Sequence, residues 1–148
     1  MNVTSISKAK KLLQHQLDIL WDNPANANMV PPLMIWGPPG IGKSTFISDI
    51  CKENEIGFID VRLAQREPVD IRGLPVPRDD KQGIDWIVSS DWPRAGVDGT
   101  PEKGIILFDE ITAADSTLQV AAYEFILDRR LGQLYEVPKG WYIVAAGN

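Results

Sequence analysis

Leu33-Met34-Ile35-Trp36-Gly37-Pro38-Pro39-Gly40-Ile41-Gly42-Lys43-Ser44-Thr45-Phe46 sets a short apolar run against a glycine-rich loop and then the start of a helical pattern. Four apolar residues that stop at Gly37-Pro38-Pro39-Gly40 suit a buried parallel strand ending in a loop. Beyond the loop, Phe46, Ile47, Ile50 and Cys51 fall on one face of a helix. Between strand and helix, Gly37 to Ser44 fits G-x-x-x-x-G-K-[ST], a pattern whose chemistry is phosphate binding. Glycines let successive backbone N–H groups turn inward around phosphates, and the following helix offers its positive N-terminal end to the same anions. Lys43 is suited to neutralise β- and γ-phosphates, and the Ser44 hydroxyl to reach a Mg²⁺ that bridges them. Background composition yields such a match in roughly 0.5% of chains this long, so a ligand-free glycine turn is the weaker reading.

A partner for the loop lies further on. Ile105-Ile106-Leu107-Phe108-Asp109-Glu110 is an apolar run that ends in two carboxylates, at the end where a parallel strand reaches the ligand edge of its sheet. Asp109 suits the Mg²⁺ shell and Glu110 the polarisation of an attacking water. By itself such a run is weak evidence, since many strands end in acidic turns; paired with the loop it points to hydrolysis. Asn148 follows a third apolar run, Trp141 to Ala146, through Gly147. Its amide is suited to hold the attacking water and contact the γ-phosphate.

The remaining pattern supplies the frame. Ile56 to Val61 reads as a further strand, and Asp115 or Ser116 as the cap of a helix through about Leu131, with Leu118, Ala121, Ala122, Phe125 and Leu127 on its buried face. Strands alternating with helices predict an α/β fold with a parallel sheet covered on both faces. Upstream, Ile6, Ala9, Leu13, Leu17 and Leu20, widened by Leu12 and Ile19, predict an amphipathic helix, and Asn23 to Asn28 a linker. Its Lys8, Lys10 and Lys11 suit a solvated face, and the lone His15 a surface position rather than a metal ligand. The Pro- and Gly-rich stretch between the second and third strands is too long for a structureless loop, and Ile84 to Val88 is suited to one arm of a hairpin inside it. The chain thus divides into an N-terminal helix and linker over 1–28 and a core over 29–148, with an inserted element at about 67–103.

Composition excludes several alternatives. At 148 residues, 44% hydrophobic and 24% charged, the chain is an ordinary one-domain globular sequence, not a disordered or fibrous one. A net charge of −5 gives no bulk signal for nucleic acid or membrane. One cysteine, Cys51, excludes an internal disulfide, and with no long apolar span or signal-like segment the expected compartment is the cytoplasm.

On these motifs the chain resembles the AAA+ ATPases, and in particular their MoxR-like, dynein-related branch of bacterial or phage type. Gly37 to Ser44 is similar to Walker A, Ile105 to Glu110 to Walker B, and Asn148 to the sensor 1 asparagine. Asp60 to Gln65, Pro68 to Pro75 and Ile126 to Gly132 are also similar to stretches of that branch. The resemblance implies a P-loop NTPase three-layer sandwich with strand order 5-1-4-3-2. It implies an ATPase using ATP and Mg²⁺, with Gly37, Pro38, Pro39, Gly40, Ile41, Gly42, Lys43, Ser44 and Thr45 around the nucleotide and Ser44 and Asp109 at the metal. Lys43, Glu110 and Asn148 would be catalytic. It further implies a homo-oligomeric ring acting on a protein client, a von Willebrand factor A domain protein being one candidate, with no membrane and no indicated nucleic acid. The inserted element would face the pore or a substrate, with Trp86 and Trp92 either gripping aromatics or a local mini-core. Arg129 and Arg130 would either approach a neighbouring subunit's nucleotide or form salt bridges at a helix end. The pattern stops at sensor 1, so the fifth strand, arginine finger, sensor 2 and helical lid are expected beyond Asn148, and turnover by this chain is expected to be very slow. A small-molecule P-loop kinase and a nucleotide-gated scaffold with negligible turnover are the alternatives.

Phosphate charge desolvated in the loop needs a local cation, so Lys43→Ala should weaken ATP binding strongly while leaving the fold intact. In a thermal-shift titration, wild type at about 100 times its dissociation constant gains about 2.7 kcal/mol. An equal ATP-induced shift in the variant would remove the assignment.

Overall fold

The computed structural model describes residues 6–37, 42–97 and 99–147; the Ile6 side chain, Pro38, Pro39, Gly40, Ile41 and Asn148 lie outside the described residues. In chain order the elements are α1 (Ile6–Asp22), β1 (Leu33–Trp36), α2 (Lys43–Glu53), β2 (Gly57–Arg62), α3 (Pro68–Arg72), β3 (Leu74–Pro77), β4 (Ile84–Ile87), β5 (Gly104–Asp109), α4 (Ser116–Asp128), β6 (Arg130–Leu131), β7 (Tyr135–Glu136) and β8 (Trp141–Gly147).

Four strands form a parallel sheet in the order β1-β8-β5-β2. That is the predicted order, the strand read as fourth lying between the first and third. Side chains alternate across a strand, and here both faces are covered, which is why β5 and β8 are apolar almost throughout. Ile105, Leu107, Tyr142, Val144 and Ala146 pack on one face against Leu13, Leu17 and Leu20 of α1 and Phe46, Ile47 and Ile50 of α2. Ile106, Phe108, Trp141, Ile143 and Ala145 pack on the other against Leu118, Ala122 and Phe125 of α4. Each large side chain so buried contributes roughly 1.5–3 kcal/mol. β1 is an edge strand of half-buried Leu33, Met34 and Ile35, with Trp36 exposed.

The N-terminal stripe buries Ala9, Leu13, Leu17 and Leu20 as predicted, but Leu12 is half-buried and Ile19 exposed, so the stripe is narrower. Lys10 pairs with Glu53 at 2.6 Å, and Gln14 and Asn54 exchange hydrogen bonds of 3.2 and 2.8 Å, tying α1 to the end of α2. His15 is exposed. The predicted linker is structured: Pro24–Met29 is a 3-10 helix with Ala27 buried. No helix among the described residues is long and apolar enough to cross a membrane.

Two other expectations change. Asp115 caps α4, its Oδ1 accepting the Leu118 N–H at 2.9 Å, but the helix stops at Asp128 rather than near Leu131. Arg129 is left-handed (φ 56°, ψ 34°), its N–H closes on the Phe125 carbonyl, and the chain turns into the β6–β7 hairpin. Leu127 is exposed instead of buried and Ile126 takes its place, because a stripe through Leu118, Ala121, Ala122 and Phe125 continues at 126 and leaves 127 on the flank.

The insertion is built, not loose. Glu67 and Asp70 form a capping box on α3, and β3 pairs antiparallel with β4 from Leu74↔Ile87 to Pro77↔Ile84, so the predicted hairpin arm is present. Trp92 is buried, with ring centroids 4.8 Å from Phe125 and 6.0 Å from Phe108; it is a mini-core residue, whereas Trp86 is exposed.

Gly57, Gly104 and Trp141 stand side by side in register at the start of their strands. The Trp141 indole lies over both glycines and donates from Nε1 to the Pro101 carbonyl at 3.0 Å. A Cβ at Gly104 would lie 2.4 Å from the ring, and one at Gly57 2.6 Å from it. Gly104→Ala should therefore destabilise the fold by about 1–3 kcal/mol through overpacking, read as a lowered urea midpoint. Adding Trp141→Phe should recover part of that loss; an unchanged midpoint for Gly104→Ala alone would show that the ring moves aside freely.

Candidate nucleotide-binding site

Because all four central strands run the same way, β1, β8, β5 and β2 end along one edge, and α2 begins there. Gly42 precedes α2 in the left-handed conformation (φ 83°, ψ 26°) with nothing within 4 Å of where a Cβ would lie. Glycine is needed for its backbone conformation, which costs other residues about 1–2 kcal/mol, rather than for space. Lys43 Nζ donates to the carbonyls of Gly37 at 2.7 Å and Gly147 at 3.0 Å, and the Gly37 N–H donates to the same Gly147 carbonyl at 3.1 Å. One ammonium thus joins the ends of β1 and β8 beside the loop. Ser44 is half-buried and Thr45 exposed in the first turn of α2.

Asp109 ends β5 and Glu110 follows in the left-handed region (φ 58°, ψ 37°), where the chain leaves the strand for the 3-10 helix Ile111–Ala113. The Glu110 N–H donates to Asp109 Oδ1 at 2.9 Å, and the Glu110 side chain is exposed. A non-glycine residue held there stores strain of order 1–3 kcal/mol, and such strain clusters at functional sites. Glu55, Lys81 and Arg129 share the conformation, so it is supporting evidence only.

Asp60 of β2 belongs to the same edge. Two positions after Phe58, which packs on the α2 face, it projects to the side that Asp109 takes two positions after Leu107. Its Oδ1 is buried with no hydrogen-bond partner among the described residues, and its Oδ2 lies 3.7 Å from Arg62 Nε. Burial raises the Asp60 pKa, with Asp109 and then Glu110 adding to the rise while Arg62 opposes it. The sequence patterns did not single out this carboxylate, or the Gly147 carbonyl. The available signal was an Asp inside the apolar run Gly57-Phe58-Ile59-Asp60-Val61, one strand away from Asp109.

A magnesium ion is compatible with this edge. Among the described residues no group of three or more His, Cys, Asp or Glu could hold a metal. Mg²⁺ keeps several waters and takes phosphate oxygens, so it needs only one or two protein oxygens. Ser44 and Asp109 are oxygen donors of that kind on the elements that meet here.

The edge therefore gathers Gly37, Gly42, Lys43, Ser44, Thr45, Asp109 and Glu110, while Pro38, Pro39, Gly40, Ile41 and Asn148 lie outside the described residues. Arg129 and Arg130 are elsewhere. Arg129 is buried near the start of β8, at the opposite end of the sheet, and donates to the Pro138 carbonyl at 3.0 Å; Arg130 lies 3.7 Å from Glu136.

The parallel order β1-β8-β5-β2, with the sequence pattern of Gly37 to Ser44 between β1 and α2, is that of a P-loop NTPase fold. Residues 33–137 match the ATPase family associated with various cellular activities (AAA), and the chain belongs to that family. Two solved structures show the same fold. A candidate ATPase from Cytophaga hutchinsonii is 15% identical with a TM-score of 0.52, covering 96% of this chain and 46% of its own. The P216G mutant of RuvB from Thermotoga maritima is 15% identical with a TM-score of 0.50, covering 100% of this chain and 43% of its own. The chain thus spans less than half the length of either structure. No curated protein matches it in sequence.

The raised pKa of Asp60 means that the fold holds its proton more tightly than the unfolded chain does. Any stability this supplies is present below the ordinary carboxylate pKa and lost as pH rises through the folded value, so at neutral pH the Asp60 charge opposes folding. In protein free of nucleotide and Mg²⁺, Asp60→Asn should raise the melting temperature at pH 7, with the gain fading below about pH 4. A lower melting temperature at pH 7 would show that the Arg62 pairing dominates.

Proposed function

We propose that this chain, with residues 29–148 as its core, is an ATP-binding and ATP-hydrolysing module. What supports the reading is that the β1–α2 junction with Lys43 and the end of β5 with Asp109 and Glu110 belong to the same edge of the parallel sheet. Lys43 exchanges carbonyl partners for β- and γ-phosphate oxygens, and the backbone N–H groups at the start of α2 face the same anions. Ser44 and Asp109 would hold Mg²⁺, which would supply neutralisation of the charge developing on the phosphates. Glu110, exposed beside Asp109, takes a proton from the attacking water, and Asn148 orients that water.

The same resemblance supports a MoxR-like member that works as a homo-oligomeric ring on a protein client. The inserted hairpin, with exposed Ile84 and Trp86, is the element offered to that client. A kinase would require an acceptor pocket at this edge and has less use for a glutamate directly after the metal-binding aspartate.

Glu110→Gln keeps shape and loses the proton acceptor, so it should bind ATP with Mg²⁺ as the parent chain does and release phosphate at least about 10²-fold more slowly. Asp109→Asn should instead weaken Mg²⁺-dependent binding. Fluorescent-nucleotide titration and single-turnover phosphate release separate the two effects. Phosphate release by Glu110→Gln at the parent rate, or transfer to an added small-molecule acceptor in place of water, would overturn hydrolysis through Glu110.

A further inference from the structure

At the end of the sheet away from Lys43, one cation is buried with no close ion pair among the described residues. Arg129 is only 6% exposed, and its sole hydrogen bond from the guanidinium to a described residue runs from Nη2 to the Pro138 carbonyl. The charged or titratable groups facing it are Tyr135, Glu136 and Tyr142. Each is engaged elsewhere: Tyr135 donates to the Pro93 carbonyl, Tyr142 to the Pro31 carbonyl at 2.6 Å, and Glu136 lies beside Arg130. A guanidinium has five N–H donors in a rigid fork and cannot shed its proton, so one described carbonyl satisfies only part of its hydrogen-bonding capacity. Its remaining nitrogens are nevertheless not sealed from solvent.

Arg129 lines a cavity of about 140 Å³ whose other walls include Met29, Pro31, Leu127, Tyr142 and Ile143. Met29 and Leu127 are largely exposed apolar residues on its lining. At roughly 30 Å³ per water the space holds a handful of waters, or one molecule of a few heavy atoms. Two features choose among anions. The fork matches a planar carboxylate through two parallel hydrogen bonds, and the Met29, Leu127 and Ile143 side chains on a lining that is otherwise partly polar accept a short hydrocarbon tail.

We propose that this cavity is a binding site for a small monocarboxylate, its carboxylate paired with Arg129 and its tail against Met29, Leu127 and Ile143. The site is separate from the nucleotide edge and independent of its chemistry. A glutamate or aspartate side chain of another protein presents the same carboxylate, and size distinguishes the two sources.

The test is a melting titration of the nucleotide-free chain with sodium propionate against sodium chloride at matched ionic strength. A saturable rise of about 2 to 4 °C is expected, with none from neutral propionamide. Lys43→Ala should respond as wild type does. Leu127→Glu, at an exposed position that tolerates a charge, should place a resident carboxylate at the cavity and abolish the response without loss of fold. Arg129→Lys, which keeps the charge but not the fork, should weaken propionate binding at least tenfold. An equal response to propionamide or chloride, or a full response in Leu127→Glu, would overturn the site. An acetylated glutamate-containing tripeptide that binds where propionate does not would overturn the small-molecule assignment in favour of a protein side chain.

Discussion

The site depends on one constraint: β8 must insert, parallel, between β1 and β5. Without it the Gly147 carbonyl would not reach Lys43 and the Gly37 N–H, and the loop end of β1 would lie far from Asp109. The insertion is possible because β8 is apolar on both faces and tapers to Ala145, Ala146 and Gly147 at the crowded end. There the Gly147 position is closed in by Trp36, Thr112 and Ile111, and any Cβ would press on all three. Small residues at the ligand end and bulky Trp141 and Tyr142 at the other thus come from one packing requirement.

Much of this frame was legible because burial on two faces leaves a strong mark. The runs at 33–36, 104–109 and 141–146 have no polar interruption, and strand limits predicted from them differ from those observed by at most one residue. The pattern from Gly37 to Ser44 stands out in the sequence because its glycines and lysine sit at fixed offsets, and the structure puts Lys43 at the start of α2. What failed was set by local backbone geometry or by distant partners. The end of α4 depends on Arg129 adopting a left-handed turn that its residue type does not announce, while Leu127 is exposed through the phase of the helix itself. Asn23 to Asn28 looked like a linker because its residues are small and polar, yet the buried Ala27 shapes it into a helical turn.

Asp60 shows the limit most clearly. Its significance comes from the register that sets β2 beside β5, and register is a property of two strands together. A carboxylate with one bare buried oxygen is destabilising, and its place beside Asp109 and Glu110, offset only in part by Arg62, concentrates like charge that the rest of the core must compensate.

The central position of β8 also governs how the protein must fold. Lys43 and Gly147 are 104 residues apart, so the contact that joins β8 to the start of α2 closes most of the described chain. Contacts this distant in sequence slow folding, because chain closure must precede any gain from pairing. Until β8 arrives, β1 and β5 present two unsatisfied parallel edges facing one another across a gap one strand wide, the state most open to pairing with the wrong chain. A nucleotide that needs the finished loop binds only after that gap is filled, and so draws the population toward molecules in which the last strand is home.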